Sequence, residues 1–148
     1  AAQHLFAPLG IDDYVWKRTP FGLVDTQEGL FVAPRDIAKI AYLFLKDGQW
    51  EGQQVVPEEW VKASVKPSVS VVDDRSIEYG YKWWLYHYEY QGEDRVAFAG
   101  SGFGGQRPIV LPELDIVLVF TGWNILPDRP SLGAGVAIQR ILDAVKRP

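Results

Sequence analysis

The fold is decided by one stretch of the chain, Arg95-Val-Ala-Phe-Ala-Gly-Ser-Gly-Phe-Gly-Gly-Gln-Arg-Pro-Ile-Val-Leu-Pro-Glu-Leu-Asp-Ile-Val-Leu-Val-Phe-Thr-Gly122. Apolar segments flank a glycine cluster at Gly100 to Gly105, and a proline-containing turn follows at Leu111 to Asp115. The run from Ile116 to Phe120 is apolar throughout and rich in β-branched residues, which is typical of a strand covered on both faces. The stretch therefore predicts a strand, a glycine-rich kink, a second strand, a tight turn and a third strand.

The glycine-rich kink, Gly100 to Gly105, is the first place to look for chemistry. Glycines inside a strand pattern mark a bulge, or a point where another backbone or a ligand comes close. Their backbone N–H groups can face a ligand, and Ser101 adds a hydroxyl. A bulge that only bends the sheet explains the same glycines. The residues alone therefore leave both interpretations open.

Helices are predicted on both sides of this stretch. Pro34 suits the first position of a helix whose apolar residues recur at helical spacing, and Gly48 ends it. A second, shorter helix follows Pro57 and ends before Pro67. Ser131 is placed to cap a final helix with its own apolar stripe.

The remaining segments complete an α+β protein. Tyr79 to Tyr88 is predicted as a strand by its aromatic content, and Ser68 to Glu78 as a surface loop. The sum is an antiparallel three-strand meander with helices packed on it. Residues 1–148 form one unit, with a helical part at about 1–78 and the sheet and final helix at about 79–148.

The composition excludes several classes of function. The formal net charge of −4 and the absence of a basic run argue against nucleic acid as a partner. No apolar run approaches the about 18–20 residues of a membrane span. There is no Cys, and the two His are far apart and outside metal-ligand spacing, so we expect no metal and no cofactor. No signal-peptide layout is visible, which leaves the compartment open.

Other conspicuous residues have structural explanations. We expect His87, inside an aromatic strand, to be a strand-face residue rather than a catalyst. Trp83 and Trp84 are expected to fill and cover the core rather than to form a sugar platform. Asp94, in a predicted turn, has the position of a solvated charge.

Several segments, taken together and in order, resemble the serine β-lactamase-like family. This family groups class C β-lactamases, D-alanyl-D-alanine peptidases, related esterases and amide hydrolases. The similar segments are Phe6-Ala-Pro-Leu-Gly-Ile11, Gly29-Leu-Phe-Val-Ala-Pro-Arg-Asp-Ile-Ala-Lys39, Asp47-Gly-Gln-Trp-Glu-Gly-Gln-Gln-Val-Val-Pro-Glu-Glu-Trp-Val61 and Tyr79-Gly-Tyr-Lys-Trp83. The resemblance implies the C-terminal part of the family's fold.

The resemblance also implies a mechanism and a site. In the family, the serine of a Ser-x-x-Lys motif attacks a carbonyl and forms an acyl-enzyme. A third motif, Lys/His-Ser/Thr-Gly, corresponds here to Gly100-Ser101-Gly102. Ser101 then holds the hydroxyl position and Phe103 supplies an oxyanion N–H, while Gly100, Gly102 and Gly29 become substrate-binding positions.

This sequence departs from the family pattern at Gly100, which stands where the family has a basic residue. The departure weakens carboxylate recognition and favours an ester or amide over penicillin or a D-Ala-D-Ala peptide. An alignment shifted by one residue, to Ala99-Gly100-Ser101, is also possible. Because strand residues alternate between faces, it would turn Ser101 away from the site.

The Ser-x-x-Lys and tyrosine motifs do not occur in these 148 residues. The expectation is a C-terminal segment that is inactive alone and that, when complete, acts on a small-molecule ester, amide or β-lactam. Family members are often periplasmic or secreted. One alternative is an inactive binding or regulatory module with an aromatic surface around Trp83, Trp84 and Trp123. Another is association with the N-terminal portion or with a second copy, since two strands of the family sheet would be lacking.

Overall fold

The computed structural model describes residues 1–26, 28–72, 76–123, 125 and 132–145. Its helices are α1 (Pro34–Leu45), α2 (Glu58–Ser64) and α3 (Ala134–Val145). Its strands are β1 (Tyr14–Trp16), β2 (Leu30–Val32), β3 (Gln49–Trp50), β4 (Gln53–Gln54), β5 (Val69–Ser70), β6 (Ile77–Tyr79), β7 (Trp84–Tyr90), β8 (Glu93–Ala99), β9 (Arg107–Leu111) and β10 (Ile116–Phe120). A π-helical turn at Ala2–Phe6 and a 3-10 turn at Pro112–Leu114 complete the elements.

The main sheet has six strands in the order β10-β9-β8-β7-β6-β5, and every neighbouring pair is antiparallel. The predicted α+β class, with helices on an antiparallel sheet, is confirmed. The sheet is larger than the predicted three-strand meander. The strands β1–β2 and β3–β4 form two separate small ribbons.

The extra strands come from the segment Ser68 to Glu78, which was predicted as a loop. That prediction was wrong where β5 and β6 form, and residues 73–75 lie outside the described residues. The segment contributes β5 and the start of β6, which pairs with β7. The predicted division near residue 78 remains a prediction, and β6 spans that position.

The aromatic run Tyr79 to Tyr88 is two strands and not one. β6 ends at Tyr79, and a turn precedes β7, with the Gly80 N–H donating to the Trp83 carbonyl at 2.9 Å. A Cβ on Gly80 would lie 2.2 Å from the Ser64 carbonyl oxygen. The Tyr81 N–H donates to that same oxygen at 2.9 Å. The end of α2 therefore fixes the position of the turn.

The predicted glycine-rich kink is the end of a hairpin between β8 and β9. Phe98 pairs with Val110, and the same register continues to an isolated bridge between Gly102 and Gln106. The Gly105 N–H donates to the Gly102 carbonyl at 3.3 Å, which closes the turn. The glycines serve a reversal of the chain, so the interpretation as a bulge within one strand was wrong.

The two faces of the sheet are buried by different helices. On one face α3 packs against alternate strand residues, with Ala97, Ile109 and Leu111 in a core that includes Ile138 and Leu142. The other face places the buried Leu85, Phe98 and Val110 against Ala41 of α1. A third core, of Phe6, Leu9, Ile11 and Leu43, lies under the β1–β2 ribbon.

The prediction of a final helix is confirmed in part. The final helix is present, but Ser131, its predicted cap, lies outside the described residues. The apolar stripe predicted for this helix consists of Ala134, Ile138, Ile141, Leu142 and Val145. Val145 is 45% exposed, whereas Ala137, outside the stripe, is buried.

The strand β10 is half-buried along its length, because it is an edge strand of the described sheet. None of the described helices is long and apolar enough to cross a membrane.

Candidate functional site

Pairing with the β9 side continues past the end of β8, beyond the point where β7 begins. The first residue of β7, Trp84, pairs with Ala99. The next residues still bond to the β9 side: the Gly100 N–H donates to the Pro108 carbonyl at 2.9 Å and the Gly102 N–H to the Gln106 carbonyl at 2.8 Å. Because N–H groups of an antiparallel strand alternate between its two sides, the Ser101 N–H faces the side that β7 has left. Ser101 thus lies on an open strand edge.

The hydroxyl of Ser101 is exposed and is held by Arg107. The Arg107 Nη1 donates to Ser101 Oγ at 3.2 Å. Among the described residues, Arg107 joins no ion pair, and its buried Nε has no hydrogen-bond partner. A cation therefore lies beside Ser101 although position 100 carries none.

Steric crowding explains why Gly100 carries no basic side chain. A Cβ on Gly100 would lie 2.9 Å from Cγ of Pro108, its neighbour on β9. A Cβ on Gly102 would lie 2.9 Å from Cβ of Gln106. Both contacts are closer than real Cβ atoms tolerate, so a lysine or histidine at position 100 requires Pro108 to move.

Phe103 occupies the turn that follows, and its side chain is 79% exposed. In the described part of the chain its backbone N–H has no hydrogen-bond acceptor. An N–H without an internal acceptor can donate to a ligand. The resemblance requires such a donor at this position.

The segment after β10 packs against this turn. Gln106 Nε2 donates a short hydrogen bond to the Gly122 carbonyl oxygen. A Cβ on Gly122 would lie 2.8 Å from the Gly104 carbonyl oxygen, so the two backbones are in direct contact. Trp123 follows and is 70% exposed.

The predicted aromatic surface is smaller than the sequence indicated. Trp83 is only 9% exposed and packs edge-on against Phe98 at 5.1 Å, so it belongs to the core. Trp84 is half-buried against Tyr79, with ring centroids 5.0 Å apart. The expectation that these two residues fill and cover the core is met, and Trp123 is left as the exposed tryptophan of the three.

Gly29 lies on the β1–β2 ribbon, apart from the six-stranded sheet. Its carbonyl accepts from the Lys17 N–H at 2.9 Å. Its φ is +79°, and a Cβ would lie 2.5 Å from Cβ of Lys17. Glycine is therefore required by the ribbon itself, and a role in substrate binding remains a prediction.

The sequence did not reveal an ion cluster across β6, β7 and β8. His87 Nε2 lies 3.0 Å from Glu78 Oε2, and His87 Nδ1 lies 2.8 Å from Asp94 Oδ2. The carboxylate of Asp94 is paired and not merely solvated. These three residues come together only through strand register. The cluster belongs to the sheet and not to the candidate site, because Asp94 is at the end of β8 opposite to Ser101.

Stability is expected to depend on pH through His87. The hydrogen bond to Glu78, followed by that to Asp94, raises the pKa of His87 above its ordinary value of 6.5. A group whose pKa is raised on folding stabilises the fold fully below its unfolded pKa, and the contribution is lost as pH rises through the folded pKa.

The stability difference between the wild type and His87→Gln is therefore expected to shrink as the pH rises above about 6.5 and through the raised pKa of His87. Urea unfolding at a series of pH values measures it, with the exposed His4→Gln as the matched control. A difference that does not change with pH would contradict the role of the cluster.

No group of three or more His, Cys, Asp or Glu within the described ranges could hold a metal ion. The candidate site therefore consists of a hydroxyl, a backbone N–H, a nearby guanidinium and two aromatic rings. Such a set has the chemistry to bind and polarise a carbonyl group, but within the described residues it contains no activated nucleophile.

Comparisons with known proteins bear on the fold. No family model and no curated protein matches the chain. A solved structure, the "Putative 6-aminohexanoate-dimer hydrolase from Bacillus anthracis", matches 97% of this chain with a TM-score of 0.77 and 23% sequence identity. The chain covers 36% of that protein's length. At this identity the likeness establishes the fold alone, which is consistent with the C-terminal portion of the β-lactamase-like hydrolase fold.

Proposed function

We propose that this chain is the C-terminal part of a serine hydrolase that cleaves an ester, amide or β-lactam through an acyl-enzyme. The nucleophile and the general base lie upstream of these residues. The observation that supports the proposal best is the open edge at Ser101, which is exposed, followed by the turn at Phe103, whose N–H has no acceptor within the described residues. Ser101 binds the substrate, and the Phe103 N–H stabilises the oxyanion.

The glycines let the substrate approach the strand edge. Gly100 and Gly102 have no side chain between the backbone after β8 and a bound ligand. The role of Gly29, beside the separate β1–β2 ribbon, is proposed from the family resemblance alone. Because position 100 carries no basic side chain, and one there would require Pro108 to move, esters and amides are favoured over substrates recognised by a carboxylate. The similar solved structure is named as a hydrolase of the 6-aminohexanoate dimer, which supports a hydrolytic reaction on this fold.

The upstream portion also has a place on this fold. The strand β10 is half-buried at one edge of the sheet, with an apolar side chain at every position. Strands from the N-terminal portion would pair along this edge. If these N-terminal strands are lacking, a second copy of the chain would pair along the β10 edge instead.

The nucleophile assignment is tested with a fluorophosphonate probe. The 148-residue chain is expected to remain unlabelled and to hydrolyse neither p-nitrophenyl esters nor nitrocefin. A longer protein that contains Ser-x-x-Lys upstream is expected to be labelled and active. Stoichiometric labelling of the 148-residue chain would refute the assignment. A longer protein without Ser-x-x-Lys would favour the inactive binding or regulatory module.

The role of Ser101 is tested by Ser101→Ala in the active longer protein. Loss of one neutral hydrogen bond to the substrate is expected to lower kcat/KM roughly tenfold. The exposed Ser68→Ala, on a different part of the surface, is the matched control and should leave kcat/KM unchanged. If both variants keep full activity, Ser101 does not contact the substrate, and the register shifted by one residue gains support.

A further inference from the structure

Two exposed aromatic rings stand at the mouth of the candidate site. Phe103 and Trp123 are 79% and 70% exposed, and their ring centroids lie 6.4 Å apart at an interplanar angle of 87°. They come from different segments, the β8–β9 turn and the segment that follows β10. An edge-to-face pair of this kind is favourable, but it leaves most of both rings in contact with water. The pair therefore offers apolar area to a ligand.

The support under the pair is fixed by backbone contacts. Gly104 and Gly122 pack directly on each other, and the Gln106 side chain bridges to the Gly122 carbonyl. A side chain on Gly122 would push the two segments apart. Because these contacts fix the backbone that carries the rings, binding orders little additional backbone.

The surroundings of the pair set the chemistry of its ligand. The β8–β9 turn from Gly100 to Gln106 and the segment from Thr121 to Trp123 contain no ionisable side chain. The nearest charged group in sequence, Arg107, donates a hydrogen bond to the Ser101 hydroxyl and keeps its charge. The faces of the two rings offer apolar contact, so an uncharged apolar group fits them best.

We propose that Phe103 and Trp123 form an apolar wall that binds the acyl group of the substrate and makes the enzyme prefer long alkyl or aryl acyl chains. This inference rests on the proposed function. The oxyanion N–H and the ring belong to the same residue, Phe103. A carbonyl oxygen bound at that N–H therefore places its acyl substituent beside the ring. Trp123 extends the apolar surface away from the carbonyl.

The test compares p-nitrophenyl acetate with p-nitrophenyl octanoate in the active longer protein, so that only the acyl chain changes. Trp123→Ala and Phe103→Ala are each expected to lower the octanoate-to-acetate ratio of kcat/KM about tenfold. Phe21→Ala is the matched control. It removes an aromatic ring that lies elsewhere on the surface and is 90% exposed, so it should leave the octanoate-to-acetate ratio unchanged. If Phe103→Ala and Trp123→Ala both hydrolyse the esters with an unchanged octanoate-to-acetate ratio of kcat/KM, the two rings do not bind the acyl group. The proposed hydrolase function would not be affected by that result.

A second measurement does not depend on catalysis. Octanamide is titrated into the 148-residue chain, and the indole N–H resonance of Trp123 is followed by NMR. A saturable shift that is lost in Phe103→Ala supports the wall, with the resonance dispersion of the variant showing that it is folded. Saturable binding together with an inactive longer protein would refute the proposed hydrolase but not the apolar site. No shift at Trp123 would overturn the inference.

Discussion

Gly48→Ala is expected to destabilise the protein by about 3 kcal/mol or more. Gly48 ends α1 with φ at +84°, and its added Cβ would lie 1.9 Å from the Val56 carbonyl oxygen. The backbone cannot easily yield, because the Gly48 carbonyl accepts from both Val55 and Val56 N–H groups at 2.9 and 3.1 Å. The free energy of unfolding in urea measures the loss.

Gly52→Ala separates the two causes of this loss. Gly52 has nearly the same conformation, with φ at +79°, but a Cβ there would meet nothing within 4 Å. Only the left-handed backbone opposes the substitution, so a loss of about 1 kcal/mol is expected. Equal losses at the two positions would mean that the clash with Val56 relaxes freely, contrary to the expected result.

Leu85→Ala is expected to cost about 2–5 kcal/mol. Leu85 is 0% exposed on β7, in the core that packs between the sheet and α1. Removing its side chain forfeits apolar burial and leaves a cavity, which the paired strands on either side cannot collapse to fill. Thermal and urea unfolding should both report the loss.

Leu23→Ala makes the same chemical change on the surface. Leu23 is 69% exposed, so its truncation is expected to change the free energy of unfolding by about 0.5 kcal/mol or less. If the two leucine variants lost similar stability, Leu85 would not be part of the core. Both variants retain the residues of the candidate site.

The sequence predicted those elements whose signals are local. The helix α1 follows from Pro34 at its start, apolar residues at helical spacing and Gly48 at its end. The apolar run of β10 is likewise visible without any partner strand. In contrast, β5 and β6 are strands of two and three residues that depend on pairing, β6 with β7 and β5 with β6. Short polar segments give no periodic signal of this kind.

The candidate site shows the same division. Glycines and a serine between two apolar segments mark the position of Ser101 and Phe103. The Arg107 contact depends on the register of β8 against β9, and the Trp123 contact on packing between two loops. The structure has a hairpin turn at Gly100 to Gly105, where a kink was predicted, for the same reason. The same glycine pattern suits a kink and a turn, and only the pairing of β8 with β9 distinguishes them.

The order of the six strands has a consequence for folding. The sheet order β10-β9-β8-β7-β6-β5 repeats the order of the strands along the chain. Each strand therefore docks on its immediate predecessor and closes only a short loop, which keeps the entropic cost of each step low. Proteins dominated by such local contacts fold faster than β-proteins with distant pairings. The strands of this sheet can therefore pair one after another as successive hairpins, and α3 then packs on one face of the sheet.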